Sequence, residues 1–155
     1  PTLNMAPLRA SISWGDEVLS MIRKFNHVGI AVRDLENAVA FFGNVYGTRL
    51  LRKDRYEGEL FDSAIVETAG MRLELLAGLA PESFISLFVK ERGEGIHHMS
   101  LEVEHFDAVV QGLKAKGLTI LGETENEYFK ACFVHPKGNY GILTEIIEPK
   151  PGWPV

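Results

Sequence analysis

FNHVGIAV at residues 25–32 and IHHMSLEV at residues 96–103 are the two stretches that decide the fold. Each is short, rich in β-branched and other apolar residues and bounded by polar ones, which is the composition of a strand. Superposed, they place His27 on His98, a separation of 71 residues. Outward from the first, Asp34 stands where a helix N-cap is wanted, and Leu35, Ala38, Val39, Phe42 and Val45 recur at three- and four-residue steps, the spacing of one helical face. Gly47 supplies the left-handed residue that ends such a helix. LLRK, DSAIVET and MRLELL then follow with Gly58 and Gly70 between or beside them, a three-stranded meander. The unit is β-α-β-β-β.

The pattern restarts after a connecting helix over residues 81–92, with Pro81 near its first turn and GEG at 93–95 ending it. Beyond IHHMSLEV, the spacing of Phe106, Val109, Val110 and Leu113 predicts a second helix, and LTILGE, KACFVHP and GILTEII supply further strands. Glu74 in RLELL and Glu145 in LTEII keep the separation of 71 residues set by the histidines. A repeat in one register implies duplication. The expected fold is therefore α+β: two βαβββ modules, over 24–80 and 94–149, within a single domain over 21–150. One domain is preferred because a half of about 65 residues could not cover both faces of its sheet alone. Residues 1–20 read as an N-terminal extension without sustained period, and 151–155 as a C-terminal tail. With one Arg beside Asp16 and Glu17, the extension meets neither import-signal pattern.

Composition narrows the function. Among 155 residues, 16 Lys and Arg stand against 21 Asp and Glu, a net charge of −5 that offers no general attraction to nucleic acid or anionic lipid. No apolar run approaches the roughly 20 residues of a membrane span. The single cysteine, Cys132, can form neither an internal disulfide nor a multi-thiolate zinc site, which suits a reducing cytoplasm.

Each module offers one His at the start of its first strand and one Glu in its last. Two imidazoles and two carboxylates, His27, Glu74, His98 and Glu145, suit a divalent ion such as Co, Zn, Mn, Ni or Fe and leave positions open for substrate. Singly, each residue reads as structural; the conjunction carries the argument, because both glutamates interrupt strongly apolar runs where an unpaired carboxylate is costly. Of the two adjacent histidines, His98 has the repeat partner, so His97, expected on the opposite strand face, is assigned to packing or to a hydrogen bond behind the ligand. His105 and His135 have no repeat partner and are expected in structural or substrate-contact roles.

NHVGIAVRDLENAVAFF, LELLAGLAPES, GEGIHHMSLEV and HPKGNYGILTEI together resemble the vicinal oxygen chelate (glyoxalase/bleomycin-resistance) superfamily and, within it, the methylmalonyl-CoA epimerases, over residues 24–149. The resemblance implies paired βαβββ modules forming a cupped mixed sheet around one metal, in a homodimer, with ligands at His27, Glu74, His98 and Glu145. It implies an acyl-CoA or other thioester substrate whose α-proton is removed through a metal-stabilised enolate, Glu145 serving as one acid/base group. The opposite base is expected at Glu57 or Glu59 in YEGELFDS, which would share one face if that stretch is extended.

Two departures accompany the resemblance. Many epimerases carry Gln where this chain has Glu74, and ENEYFK at 125–130 replaces a small Gly-containing loop, so that Tyr128 and Phe129 could reshape the pocket. The leading expectation is an isomerase, a metal-dependent epimerase of a 2-methyl-branched acyl-CoA. A glyoxalase-I-like lactoylglutathione lyase and a non-catalytic small-ligand-binding protein are the alternatives, and an Fe(II) dioxygenase using His27, His98 and Glu145 ranks last.

Overall fold

In the computed structural model, which describes residues 21–153, the first module comprises β1 (Ile22–Val32), α1 (Leu35–Tyr46), β2 (Arg49–Tyr56), β3 (Phe61–Thr68) and β4 (Met71–Gly78). A linking helix, α2 (Phe84–Arg92), leads to the second: β5 (Gly95–Val103), α3 (Phe106–Ala115), β6 (Ile120–Glu125), β7 (Phe129–Val134) and β8 (Thr144–Pro149). The expected extension over 1–20 and the last two residues of the expected tail lie outside the described residues. Among the described residues no helix is long and apolar enough to cross a membrane.

One eight-stranded mixed sheet in the order β2-β3-β4-β1-β5-β8-β7-β6 holds both modules. The order is the same read outward from its middle in either direction. Within each module the first strand pairs parallel with the last, Gly29 opposite Glu74 in one and Ser100 opposite Glu145 in the other, so the 71-residue repeat of the sequence is also the repeat of the register. The seam between modules is the antiparallel pair β1 and β5, with His27 opposite Ser100 and Gly29 opposite His98. Across it each histidine faces a small residue from the other module.

Local signals account for the helices. The Asp34 carboxylate accepts from Asn37 N at 3.0 Å at the start of α1, and Gly47, at φ 65°, closes its end with a bond to the Gly43 carbonyl. The linking helix begins later than its sequence suggests, because Pro81 lies in the preceding turn and the Ser83 hydroxyl caps Ile85 N instead. Likewise residues 141–143 of GILTEII form a turn rather than strand, Ile142 N bonding back to the Asn139 carbonyl.

Leu35, Ala38, Val39 and Phe42 of α1 pack on Ala64, Val66 and Leu75, while Phe106, Val109 and Val110 of α3 pack on Cys132, Val134 and Ile146. These two cores cover one face of the sheet. On the other face, Ile85 and Val89 of α2 close one end against Ala31, Phe61 and Leu76. Glu74 lies between Leu73 and Leu75, which face α1, so strand alternation turns it to the opposite side, the concave side of the cup.

The seam leaves no room for a side chain at Gly29, where a Cβ would lie 2.2 Å from His98 Cε1. The imidazole cannot retreat, being wedged between His27, His97 and Phe133 with ring centroids 5.1–5.5 Å away. Gly29→Ala is therefore expected to lower stability by about 1–3 kcal/mol in denaturant titration, the usual cost of overpacking. Gly58→Ala, in an open turn with nothing within 4 Å among the described residues, is the control and should be near neutral. Equal stability of the two variants would show that the seam yields.

Candidate metal centre

Strand pairing brings the four residues singled out by the repeat to the middle of the concave face. His27 Nε2 and His98 Nε2 approach to 3.0 Å, and Glu74 Oε2 lies 3.2 Å from the former and 3.7 Å from the latter. Glu145 Oε2 is 3.6 Å from His27 Nε2, is buried, and has no hydrogen-bond donor among the described residues. His27, Glu74 and His98 could hold one ion between them, their ligand atoms lying within 4.8 Å of one another, with Glu145 alongside.

Behind each imidazole stands a partner for its Nδ1. At Asn26 the register of β1 against β5 slips by one residue, and at His97 the register of β5 slips in the same way. These two bulges are equivalent in the repeat. Asn26 Oδ1 lies 3.0 Å from His27 Nδ1, and His97 Nδ1 lies 3.0 Å from His98 Nδ1. With Nδ1–H donated backward in both rings, both Nε2 lone pairs would be left for an ion at the centre. The bulge corrects one expectation: His97 does not point to the face opposite His98, because the extra residue breaks the alternation and leaves His97 packed against Phe84 and Phe88 of α2. Asn26 is held in turn by its own Nδ2, which donates to Glu102 Oε2 at 2.9 Å.

Electrostatics favour a cation here. Burial works to lower the pKa of His27, but the carboxylates of Glu74 and Glu145 outweigh it and raise it above the ordinary imidazole value. Burial acts to raise Glu74, yet His27 and, more weakly, His98 bring it below the usual carboxylate range. Glu145 is pushed up, chiefly by burial and then by the like charge of Glu74. His98 is pushed down to about 3, again mainly by burial, and stays neutral. Two imidazole Nε2 atoms 3.0 Å apart and a buried carboxylate oxygen without a donor among the described residues are what a divalent ion would satisfy, and the donor set is right for one.

The cavity above these atoms has further walls absent from the sequence reading: Tyr56, Arg52 and Arg72 from the first module, and Trp153 after β8. Burial and the neighbouring Glu74 raise the pKa of Tyr56 and keep it protonated. Phe129 lines the cavity as expected, whereas Tyr128 does not. Glu57 and Glu59 also lie outside it, exposed in the turn that joins β2 and β3. YEGEL is not extended: Glu59 N bonds to the Tyr56 carbonyl, and the chain reverses over 57–60. His105 caps α3 in a left-handed conformation, and His135 Nδ1 accepts from Lys137 N, so neither joins the centre. Of the missed residues only Asn26 had a signal in the sequence, its equivalence to His97.

The profile of the glyoxalase/bleomycin resistance protein/dioxygenase superfamily matches residues 26–135. The ethylmalonyl-CoA/methylmalonyl-CoA epimerase of Cereibacter sphaeroides is 34% identical over 81% of this chain and 98% of its own length. The human mitochondrial methylmalonyl-CoA epimerase is 33% identical over 79% of this chain and 72% of its own. The crystal structure of methylmalonyl-CoA epimerase from Mycobacterium tuberculosis superposes with a TM-score of 0.78 at 28% identity, covering 84% of this chain and 91% of that one. The paired modules, the seam and these relationships carry one conclusion: the chain belongs to the glyoxalase/bleomycin resistance protein/dioxygenase superfamily.

Proposed function

We propose that this protein is a metal-dependent epimerase of a 2-methyl-branched acyl-CoA, methylmalonyl-CoA in the first instance. An enzyme of the isomerase class accords with its kinship to epimerases. The observation that carries the metal reading is the convergence of His27, Glu74 and His98 on one point, with the buried, donor-less Oε2 of Glu145 beside them. These four residues would hold the ion. When bound, it supplies a Lewis acid that stabilises negative charge developing on the thioester oxygen.

The protein's own groups move the proton. Glu145, beside His27 at the centre, takes a proton from C2 on its side; the C–H electrons pass to the thioester carbonyl and leave a planar enolate. Reprotonation at C2 from the opposite side gives the other stereoisomer, so a second acid must stand across the cavity. We assign it to the β2–β3 turn, where Glu57 and Glu59 follow the cavity-lining Tyr56, and reaching the substrate requires that turn to fold inward. Arg52, paired with Asp54, and Arg72, 3.9 Å from Glu67, line the cavity and would face the carboxylate of an anionic substrate. The same reading takes the protein as a homodimer, as the resemblance implies, and assigns it to the reducing cytoplasm, in keeping with its single cysteine, Cys132, left free.

In deuterated buffer the metal-loaded protein should exchange the α-proton of methylmalonyl-CoA, and absence of exchange would favour the lyase or binding alternatives. His98→Ala should abolish stoichiometric metal by elemental analysis, whereas His97→Ala should retain it at reduced affinity; the reverse pattern would overturn the choice of ligand. Glu57→Gln or Glu59→Gln should cut epimerisation by the ~10²-fold or more typical of losing a general acid, with metal content unchanged. A double variant that epimerises normally would remove both glutamates from the mechanism.

A further inference from the structure

We infer that Trp153, carried on a strap of residues 150–153, roofs the reaction cavity and selects acyl groups whose 2-branch is a small alkyl group. The inference rests on the epimerase reading and extends it to substrate choice.

The strap is built and anchored. Lys150 N donates to the Tyr128 carbonyl at 2.7 Å, and its Nζ reaches Glu125 Oε1 at 2.7 Å and the Asn126 carbonyl at 2.6 Å. Three bonds therefore fix the base of the strap to the β6–β7 hairpin. That hairpin is itself shaped by Asn126 Oδ1, which accepts from Tyr128 N and Phe129 N. The chain then turns through Gly152, at φ 92°, a conformation that side chains rarely adopt, and Trp153 N donates to the Lys150 carbonyl at 3.1 Å. The turn aims the indole back over the sheet.

The indole lies edge-on to Phe129 of β7, ring centroids 4.8 Å apart, while the Arg52 guanidinium of β2 lies 5.2 Å from its centroid. Arg52 belongs to the outermost strand of the first module and Phe129 to the second module, so one side chain spans the open mouth of the cup from module to module. Trp153 and Phe129 line the same cavity as His27, Glu74 and Glu145, and the cavity measures about 60 Å³. A bound 2-branched malonyl thioester has two kinds of surface to satisfy. Its oxygens belong with the polar donors, and its alkyl branch with the apolar wall that Phe129 and Trp153 provide. A rigid aromatic wall accommodates a methyl group and meets a longer branch with steric conflict, and each methylene in such a pocket changes discrimination by about 10–200-fold.

The test uses the full chain and the variants Trp153→Ala, Trp153→Phe and Phe129→Leu, the last trimming the roof from the other side. Two quantities are read: the ratio of kcat/KM for butylmalonyl-CoA to that for methylmalonyl-CoA, by α-proton exchange, and the rate at which Co²⁺-loaded protein loses its ion to EDTA. Trp153→Ala should raise the ratio by about 10-fold or more and speed Co²⁺ loss, with metal stoichiometry and far-ultraviolet dichroism unchanged. Phe129→Leu should shift the ratio in the same direction, and Trp153→Phe should retain the parent's discrimination. A Trp153→Ala protein that is folded and metal-loaded but keeps the parent's ratio overturns the inference. If the parent exchanges the α-proton of neither thioester, the epimerase reading fails and the branch assignment with it. The roof is then judged by Co²⁺ alone: faster loss from Trp153→Ala upholds it, and an unchanged rate overturns it.

Discussion

The antiparallel pairing of β1 with β5 is the constraint on which the rest of the structure depends. With His27 opposite Ser100 and Gly29 opposite His98, the two imidazoles cross the seam toward each other, each in space left by a residue with little or no side chain. A slip of one residue would send each histidine to the other face of the sheet. The parallel pairs β1 with β4 and β5 with β8 then set Glu74 and Glu145 beside the same point from opposite sides. Helices α1 and α3 cover the reverse face and leave the concave one open for chemistry.

This arrangement gathers buried polar groups that an ordinary core would exclude. The backbone answers with two equivalent bulges, at Asn26 and His97, that orient the imidazoles from behind, and the buried Ser63 and Ser100 hydroxyls lie beside Glu74 and Glu145, where they weakly oppose the effect of burial on each carboxyl. Two carboxylates at one centre remain expensive unless positive charge is near. Without an ion, protonation of His27, favoured by both glutamates, supplies part of it; a divalent ion would take the place of that proton and supply more. Glu74, where many epimerases are expected to carry Gln, adds a negative charge to this centre, and Arg52 and Arg72 line the cavity it faces. The charge of Arg52 reaches His27, where it opposes the glutamates.

The duplication explains the centre, and the departures from duplication explain the mouth. Nothing in the first module corresponds to the strap after β8, because at the equivalent point the chain must continue into α2 and on to β5. The second module turns its last described residues back across the cup. Symmetry thus supplies the donors, and its breaking encloses them.

The sequence by itself determined the two modules, the strand and helix types, the shared 71-residue spacing of His27 with His98 and Glu74 with Glu145, and the likeness to the superfamily. These were legible because apolar periodicity and a repeated register are properties of consecutive residues, and a duplication writes them twice. Only the tertiary structure decided that His97 lies beside His98, since a bulge depends on pairing between strands rather than on the strand's own alternation. It alone moved Glu57 and Glu59 out of the cavity, because the chain reverses over 57–60 where an extended reading had both side chains on one face. It alone brought Arg52 and Trp153 together, residues 101 positions apart whose neighbours carry no shared pattern and which meet because the sheet curls its two ends toward each other.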